Sequence, residues 1–276
     1  MITSRDNPHL KHARAVRKGK VSAEMFIEGL RLCEEAVRSN AGSNINITSV
    51  LYTPDFAVEP RSKALLAELK NRGIEGLLVP ETLLDSVTDT SSPQGIVITA
   101  EKPVSNSGVL TGALNGMAAQ PGNLPLVLIL HEINNPANLG AILRTVEAAG
   151  AIGVVITKNS ADPFSPKALR GAMGASLRLP VWYGAEFSEA IDWAKQNEMA
   201  VACADINGKT SYLDVDWQKP HALVIGSEAH GLTPDEITLC DESFRIPMAE
   251  PVESLNAAVA AGIVLFEARR QFRQQT

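Results

Sequence analysis

The sequence has few aromatic residues, few cysteines and no long apolar run. Phe, Trp and Tyr make up 5% of the 276 residues, so Ala, Val, Leu and Ile supply most of the 45% that is hydrophobic. This composition favours helices packed on a sheet and excludes collagen and coiled coils. No apolar run reaches the ~20 residues that a membrane-spanning helix needs, and the N-terminus has no apolar signal core. We therefore expect a soluble, cytoplasmic protein without membrane contact.

The three cysteines argue against a disulfide framework and against a structural zinc site. Cys33, Cys203 and Cys240 are odd in number, widely spaced and form no Cys-x-x-Cys pair. His9 and His12 could share a helix face, but no third ligand lies near them in the sequence. We expect no metal, and a reducing compartment fits the free thiols.

The charge is unevenly distributed along the chain. The net charge is −6, which by itself disfavours a nucleic-acid partner, yet six Lys and Arg stand against one Asp in residues 1–20. A basic arm on an acidic body can bind phosphates locally. A solvated terminal helix would explain the same charges.

Two regions with alternating strand and helix signals are separated by a weak stretch. The first region, 1–101, predicts a small α/β domain with strands at 24–28, 45–51, 74–79 and 95–99 and helices at 29–39, 60–72 and 80–86. The stretch 102–122 is rich in Gly, Ser and Pro and predicts a linker with one or two helical turns near 110–119.

The second region, 123–276, predicts a mainly parallel sheet. Continuous apolar runs that suit strands buried on both faces occur at 126–130, 152–156, 179–183, 199–204, 222–225 and 244–248. Helical patterns lie between and after them, at 138–149, 166–176, 187–197, 234–240 and 254–273. This alternation indicates right-handed βαβ units. The last helix is apolar nearly all round, so we expect it to be buried in the core or against a second subunit.

The first of three polar loops carries an arginine on the helix that follows it. Asn138 is predicted to be the N-cap of this helix. Arg144 lies off the apolar stripe, beside three small residues that leave room for a ligand, Gly140, Ala141 and Ala148. An exposed ion pair of Arg144 with Glu147 is the alternative.

The second loop runs from Gly226 to Thr233 after a buried strand. Thr233 and Glu236 predict a capping box, whereas a turn does not require Glu228. The loop is neither a P-loop nor a dinucleotide fingerprint. A lesser turn is predicted at 205–208.

The third loop spans 246–256, before the final helix. Ser254 could cap that helix, and Asn256 would place a polar amide that needs partners in its first turn. The three loops follow predicted strands, and ligands collect at the carboxyl ends of strands in parallel sheets.

Together the loops resemble the SpoU (TrmH-like) family of RNA 2′-O-ribose methyltransferases, within the SPOUT superfamily. The matching stretches are Asn135-Pro136-x-Asn138-x-Gly140-x-x-x-Arg144, Gly226-x-Glu228-x-x-Gly231, and Ile246-Pro247-Met248 with Ser254-Leu255-Asn256. Phe26-Ile27-Glu28-Gly29 and Pro93-Gln94-Gly95 look like the N-terminal substrate-binding domain of that family. Two positions depart from the family pattern, since Asn135 stands where an acidic residue is common and Ala172 where serine is frequent.

The resemblance implies a fold and a reaction. The fold is a SPOUT-type parallel sheet with a C-terminal trefoil knot, preceded by a small α/β RNA-binding domain of ribosomal-protein-like fold. Residues 1–101 would be that domain, 102–122 the linker and 123–276 the methyltransferase domain. The reaction is methylation of a ribose 2′-hydroxyl in RNA by S-adenosylmethionine. Members of the family are typically homodimers.

The resemblance also implies site residues. Cofactor contacts map onto Gly226, Ile246, Leu255, Met248 and Ala204. The catalytic arginine maps onto Arg144, which we expect to bind phosphate and stabilise the developing alkoxide, because arginine stays protonated in proteins. Four further residues are expected to orient this arginine and the ribose: Asn138, Glu228, Ser254 and Asn256.

Several alternatives remain at this stage. Ribosomal RNA is favoured over transfer RNA because of the extra N-terminal domain, by family analogy only. A Rossmann-like nucleotide enzyme fits the βαβ pattern but lacks Gly-x-Gly-x-x-Gly after any predicted strand. A non-catalytic RNA-binding protein and a methyltransferase acting on a base or a small molecule are the other possibilities.

Overall fold

The structure, a computed structural model, describes residues 2–39, 45–88, 90, 93–116 and 124–273. The chain forms two compact units, one of Met1–Pro103 with Phe164–Arg178 and one of Val104–Pro163 with Leu179–Thr276. The predicted domain limits, 1–101, 102–122 and 123–276, stay predictions. Residues 117–122 of the predicted linker lie outside the described residues.

The first unit is a small α/β fold built on a four-stranded sheet. Its strands are β1 (Glu24–Glu28), β2 (Ile47–Tyr52), β3 (Leu77–Leu78) and β4 (Ile96–Glu101), in the order β1-β4-β2-β3. Strand β3 runs parallel to β2, and the other pairs are antiparallel. Its helices include α1 (Pro8–Arg17), α2 (Leu30–Arg38), α3 (Pro60–Asn71) and α4 (Glu81–Asp85), with a short 3₁₀ helix at Phe56–Val58.

The period-2 alternation of β1 places its side chains in two separate apolar layers. Met25 and Ile27 pack in one cluster with residues of α2 and α3. Phe26 packs on the other face, where α1 buries Leu10 and Val16. The basic N-terminal stretch is therefore a packed amphipathic helix and not a loose arm, because its apolar side is held by the sheet.

A segment from the second half of the chain belongs to the first unit. We predicted one helix at 166–176, but the structure has two, α7 (Pro166–Ala172) and α8 (Ala175–Arg178). The break falls at Met173 and Gly174, which have φ angles of +52° and +93°. A positive φ cannot continue a right-handed helix. Leu169 and Leu177 are buried in the same cluster as Met25.

The second unit is built on a seven-stranded sheet in the order β7-β6-β5-β10-β8-β11-β9. Its strands are β5 (Leu124–Leu130), β6 (Ala151–Thr157), β7 (Val181–Ala185), β8 (Ala200–Ala204), β9 (Thr210–Ser211), β10 (His221–Ile225) and β11 (Glu242–Arg245). Every pair is parallel, which confirms the parallel α/β prediction. The helices include α5 (Ser107–Gly116), α6 (Pro136–Ala149), α9 (Phe187–Gln196), α10 (Pro234–Leu239) and α11 (Ala257–Arg273). The trefoil knot stays a prediction, because sheet order and register do not define a knot.

Part of the predicted linker is a packed helix. In α5, Leu110 is fully buried. A Cβ added at Gly153 of β6 would lie 2.6 Å from the Leu110 Cδ2 atom, so the glycine makes room for this leucine. The helical signal is weak here because Gly, Thr and Asn interrupt the apolar pattern of the helix.

The final helix, α11, is buried on one side only. Ala261, Val264 and Leu265 are buried, whereas Val259 and Phe266 are 51% and 52% exposed. The single chain therefore buries only one side of this helix, and burial of the other side against a second subunit stays a prediction. In the described part of the chain, no helix is both long enough and apolar enough to cross a membrane.

Candidate functional site

A cavity of about 680 Å³ lies in the second unit, beyond the carboxyl ends of β8, β10 and β11. These strands are neighbours in a parallel sheet, so the loops that follow them meet at one edge. Nine of the ten predicted site residues line the cavity: Asn138, Ala204, Gly226, Glu228, Ile246, Met248, Ser254, Leu255 and Asn256. The structure thus brings the three polar loops together.

The loop after β10 closes tightly on itself. The Ser227 N–H donates to the Gly231 carbonyl at 3.1 Å, and the Gly231 N–H donates to the Ser227 carbonyl at 2.9 Å. A Cβ added at Gly226 would lie 2.7 Å from the Gly231 carbonyl carbon and 2.8 Å from Leu232 Cγ. Only glycine therefore fits at position 226, because any side chain there would collide with the opposite strand of the closed loop.

The helix α6 begins differently from the prediction. Asn135, and not Asn138, is the N-cap, since its side chain accepts from the Ala137 N–H at 2.9 Å. Pro136 occupies the first helical position, for which its fixed φ is suited. Asn138 then lies in the first turn with its amide available for the other loops.

A hydrogen-bond chain joins the three loops. The Glu228 carboxylate accepts from the Asn135 backbone N–H at 3.1 Å and from the Asn138 amide nitrogen. The Asn138 amide oxygen in turn accepts from the Asn256 amide at 3.1 Å. Glu228, which the turn did not require, is therefore the link between the second loop and the start of α6.

Asn256 also starts the final helix. Its side-chain oxygen accepts from the Ala258 N–H at 2.9 Å and from the Val259 N–H at 3.4 Å. The structural alternative that Ser254 caps the helix is wrong, because α11 begins only at Ala257. Ser254 lines the cavity instead.

The lining also contains residues that the sequence did not indicate as site residues, among them Asp205 and Ile206. The segment 205–208 is the predicted turn, in which the Gly208 N–H donates to the Asp205 carbonyl at 3.0 Å. Ile206 in this turn is 54% exposed and lines the cavity together with Asp205. An apolar side chain in a turn directly after a buried strand was the available signal.

The described lining of the cavity is acidic. Three carboxylates line it, those of Asp205, Glu228 and Glu253, and His230 is the basic side chain beside them. No Lys or Arg occurs among the described residues of the lining. Such a lining attracts a cationic ligand and repels phosphate groups.

Arg144 does not line the cavity. It is exposed on α6, and within the described residues its guanidinium makes no ion pair or hydrogen bond. The alternative ion pair with Glu147 is therefore absent from the described structure. The guanidinium remains available to a ligand from outside the chain.

A partly buried histidine holds the start of α10, which also borders the cavity. His131 lies at the end of β5; its Nε2 is 2.9 Å from Glu236 Oε1, and its Nδ1 is 3.0 Å from Thr157 Oγ1. The predicted capping box is present, since Glu236 also accepts from the Thr233 N–H at 2.7 Å. Burial raises the pKa of Glu236, but hydrogen bonds from Thr233 and the attraction of His131 outweigh it and hold the pKa below 4.5.

The described residues contain no group of three or more His, Cys, Asp or Glu side chains that could hold a metal ion.

Two family models match the chain. The SpoU rRNA Methylase family matches residues 125–266, and the RNA 2′-O ribose methyltransferase substrate-binding family matches residues 26–104. A Synechocystis sp. protein named as an uncharacterized tRNA/rRNA methyltransferase is 30% identical over 273 residues, covering 98% of this chain and 93% of the relative.

Solved structures resemble the whole chain. An AdoMet-bound rRNA methyltransferase from Sinorhizobium meliloti has a TM-score of 0.82 and 30% identity, covering 98% of this chain and 97% of the other. The SpoU methyltransferase AviRb from Streptomyces viridochromogenes, in complex with AdoMet, has a TM-score of 0.81 and 27% identity over 96% and 98% of the two chains. The chain belongs to the SpoU family of RNA methyltransferases.

Proposed function

We propose that the chain methylates a ribose 2′-hydroxyl of ribosomal RNA. The observation that carries this proposal is the 680 Å³ cavity, which is lined by three carboxylates and by no described Lys or Arg. A nucleoside with a positively charged sulfonium suits such a lining, whereas the polyphosphate of ATP or NAD does not. The family membership and the AdoMet-bound relatives agree with this choice.

The cavity fits the cofactor S-adenosylmethionine. Its volume lies within the range of about 300–1,000 Å³ found for small-molecule sites. Gly226, Ile246 and Leu255 line the cavity, and the resemblance assigns to these three positions the contacts with the cofactor that are made largely through backbone groups. Ile246, Met248, Leu255, Gly226 and Ala204 would hold it, and when bound it supplies an activated methyl group.

The remaining residues of the cavity act by positioning. The Glu228 carboxylate fixes the start of α6 through Asn135 and Asn138, and Asn256 fixes the amide of Asn138. These groups, with Ser254, would orient the ribose at the mouth of the cavity. Correct alignment of two reactants can supply about 7–11 kcal/mol of the activation barrier.

Arg144 would contact the RNA and not the cofactor. Its guanidinium is exposed and unpaired in the described structure. It can therefore form bidentate hydrogen bonds with the phosphate next to the target ribose. Its fixed positive charge would stabilise the oxyanion that develops as the 2′-hydroxyl releases its proton to water while the methyl group leaves the sulfonium. The guanidinium does not serve as the base, since arginine stays protonated in proteins.

The substrate, the assembly and the compartment belong to the same proposal. The substrate-binding family match in residues 26–104 and the rRNA methyltransferase among the similar structures support ribosomal RNA over transfer RNA. The exposed Val259 and Phe266 on α11 support a homodimer through this helix. The three cysteines without a disulfide support the cytoplasm.

Labelled S-adenosylmethionine tests the reaction. Purified protein is incubated with the methyl-labelled cofactor and either ribosomal or transfer RNA, and the product is digested with alkali. A 2′-O-methyl group blocks alkaline cleavage of the next phosphodiester bond, so the label should appear in dinucleotides from ribosomal RNA. Label in mononucleotides would indicate base methylation, and label only in transfer RNA would overturn the ribosomal substrate.

A protein that only binds RNA is the competing function. The intact chain of hydrogen bonds from Asn135 to Asn256 argues against it, because RNA binding alone does not require a cofactor cavity to be organised in this way. The same assay decides, since an RNA-binding protein would leave both RNAs unlabelled.

A further inference from the structure

A second cavity, of about 290 Å³, lies within the first unit and takes no part in the methyl-donor site. It is formed where β1 ends and α2 begins, with α7 on its other side. Its lining includes Glu28 and Gly29 of one sequence motif and Gln94 of the other motif that the methyl-transfer reaction leaves unexplained. The volume suits one nucleotide and not a longer oligomer.

The floor of this cavity is a buried carboxylate with unused acceptor capacity. The Glu28 side chain is 5% exposed. The Thr90 hydroxyl donates to its Oε1 atom, but Oε2 has no hydrogen-bond partner within the described residues. The Arg170 guanidinium forms an ion pair with Oε2 at 3.9 Å, a distance too long for a hydrogen bond. A buried carboxylate oxygen without a donor is costly, so this atom points to a ligand that donates.

A donor lies next to this acceptor. The Gln94 side-chain oxygen accepts from the Leu30 N–H at 2.9 Å, which fixes the orientation of the amide. Its NH₂ group is therefore the part that remains available to a ligand, and within the described residues it has no partner. The φ of +93° at Gly29 and the 3.0 Å that would separate an added Cβ from Gln94 Oε1 show how closely the two motifs meet.

The other walls suit a base and a phosphate. Leu32, Leu169 and Met173 present apolar surface on which the faces of a ring can lie. The guanidinium groups of Arg31 and Arg170, which are exposed and partly exposed, supply positive charge at the cavity. Arginine planes also stack on bases in RNA recognition.

We propose that this cavity binds one unpaired guanine of the substrate RNA. Guanine presents two adjacent N–H donors, N1–H and the 2-amino group, which the Glu28 carboxylate accepts. Its neighbouring O6 accepts from the Gln94 amide. Adenine, cytosine and uracil each present a different order of donors and acceptors along this edge. The inference rests on the proposed function in that RNA is the substrate, and it adds a base-reading site outside the methyl-donor cavity.

Nucleotide binding to the full-length chain tests the proposal without any methyl transfer. Guanosine 5′-monophosphate is compared with the inosine, adenosine, cytidine and uridine monophosphates by NMR titration. Inosine lacks only the 2-amino group, so we expect its affinity to be about tenfold lower, as for one hydrogen bond to a charged group. Equal binding of guanosine and inosine monophosphates, tighter binding of another nucleotide, or no binding of any of them would overturn the proposal.

Variants locate the site. Glu28→Gln keeps the shape but replaces an acceptor with an amide, so we expect guanosine monophosphate to bind at least about tenfold more weakly. Glu75→Gln removes the charge of an exposed carboxylate in the same unit and should change nothing. Unchanged binding in a folded Glu28→Gln protein would overturn the assignment. If Glu28→Gln unfolds, the nucleotide series on the unaltered chain still decides.

The two proposals fail separately. Methylation of ribose without any guanine preference would overturn only the guanine site. Guanine binding by a chain that labels no RNA would overturn only the proposed function.

Discussion

Asn138 donates a hydrogen bond to Glu228, although 90 residues separate them in the sequence. This contact joins the helix that carries Arg144 to the loop that lines the 680 Å³ cavity. The site is therefore a single unit in which the position of α6 depends on the loop after β10.

Removing the negative charge of Glu228 should weaken cofactor binding and lower the turnover rate. In Glu228→Gln one of the two donors, the Asn135 N–H or the Asn138 amide, must face an amide NH₂ group. Loss of one such bond costs about 1.5–3 kcal/mol. We expect turnover to fall at least tenfold, measured by methyl transfer under saturating RNA.

Glu253→Gln is the matched control for Glu228→Gln. Glu253 lines the same cavity, but within the described residues its carboxylate makes no hydrogen bond. Both variants remove one negative charge from the lining, so their difference isolates the hydrogen-bond chain. Equal losses in the two variants would contradict the positioning role of Glu228.

Substitution of Arg144 should separate cofactor binding from catalysis. Arg144→Lys keeps the positive charge but loses the planar guanidinium that donates bidentate hydrogen bonds. Because Arg144 lies outside the cavity, we expect the Kd for S-adenosylmethionine to stay within about twofold, while the rate of methyl transfer falls about 10²-fold. Calorimetry and single-turnover kinetics measure the two effects.

Arg72→Lys, at an exposed site of the first unit, should leave both quantities unchanged. Turnover near that of the unaltered chain in Arg144→Lys would remove Arg144 from the mechanism.

Two glycine substitutions should have opposite effects on stability. Gly226→Ala places a Cβ 2.7 Å from the Gly231 carbonyl carbon, so the loop must move, at a cost of about 1–3 kcal/mol in the free energy of unfolding. Gly112→Ala, inside α5, meets no atom within 4 Å and should stabilise by about 0.5–1 kcal/mol. Denaturant unfolding measures both.

Only the first substitution should also lower the affinity for S-adenosylmethionine. A folded Gly226→Ala protein that bound the cofactor normally would show that the tight loop is not part of its site.

The hydrogen bonds that Glu236 makes with Thr233 and His131 predict an acid-sensitive contribution to stability. The pKa of Glu236 in the folded chain lies below its ordinary value of 4.5. A carboxyl with a lowered pKa stabilises the folded state above its unfolded pKa, and this stabilisation is lost as the pH falls through the folded pKa. Glu236→Gln should therefore lower the free energy of unfolding at pH 7 and reduce its dependence on pH in the acid range.

Asp235→Asn removes a charge from the same helical turn without touching the contacts of Glu236, and serves as the control. Urea unfolding at several pH values measures the effect. An identical pH dependence in Glu236→Gln and in the unaltered chain would contradict the assignment.

Local features of the fold were predictable from the sequence, whereas contacts between distant segments were not. The capping box of Thr233 and Glu236 and the parallel strands follow from short patterns, and the structure confirms them. The predicted N-cap, Asn138, differs from the observed one, Asn135, because both are asparagines and residue type alone cannot distinguish them. The true cap is decided by where the backbone turns, and that depends on Glu228.

Packing decided the remaining differences. Residues 164–178 carry a helical pattern, but nothing in that pattern shows that Leu169 and Leu177 join the core of the first unit. Leu110 is buried because Gly153 leaves space for it. The sequence of α5 by itself does not show this contact. Such side chains are placed by tertiary contacts that lie far away in the sequence.

Calorimetric titration of the purified chain with S-adenosylmethionine, ATP and NAD tests the central claim most directly. The acidic cavity without a described Lys or Arg predicts binding of S-adenosylmethionine at one site per chain and much weaker binding of both phosphate-bearing nucleotides. Equal or tighter binding of ATP or NAD, or no binding of S-adenosylmethionine, would contradict the account.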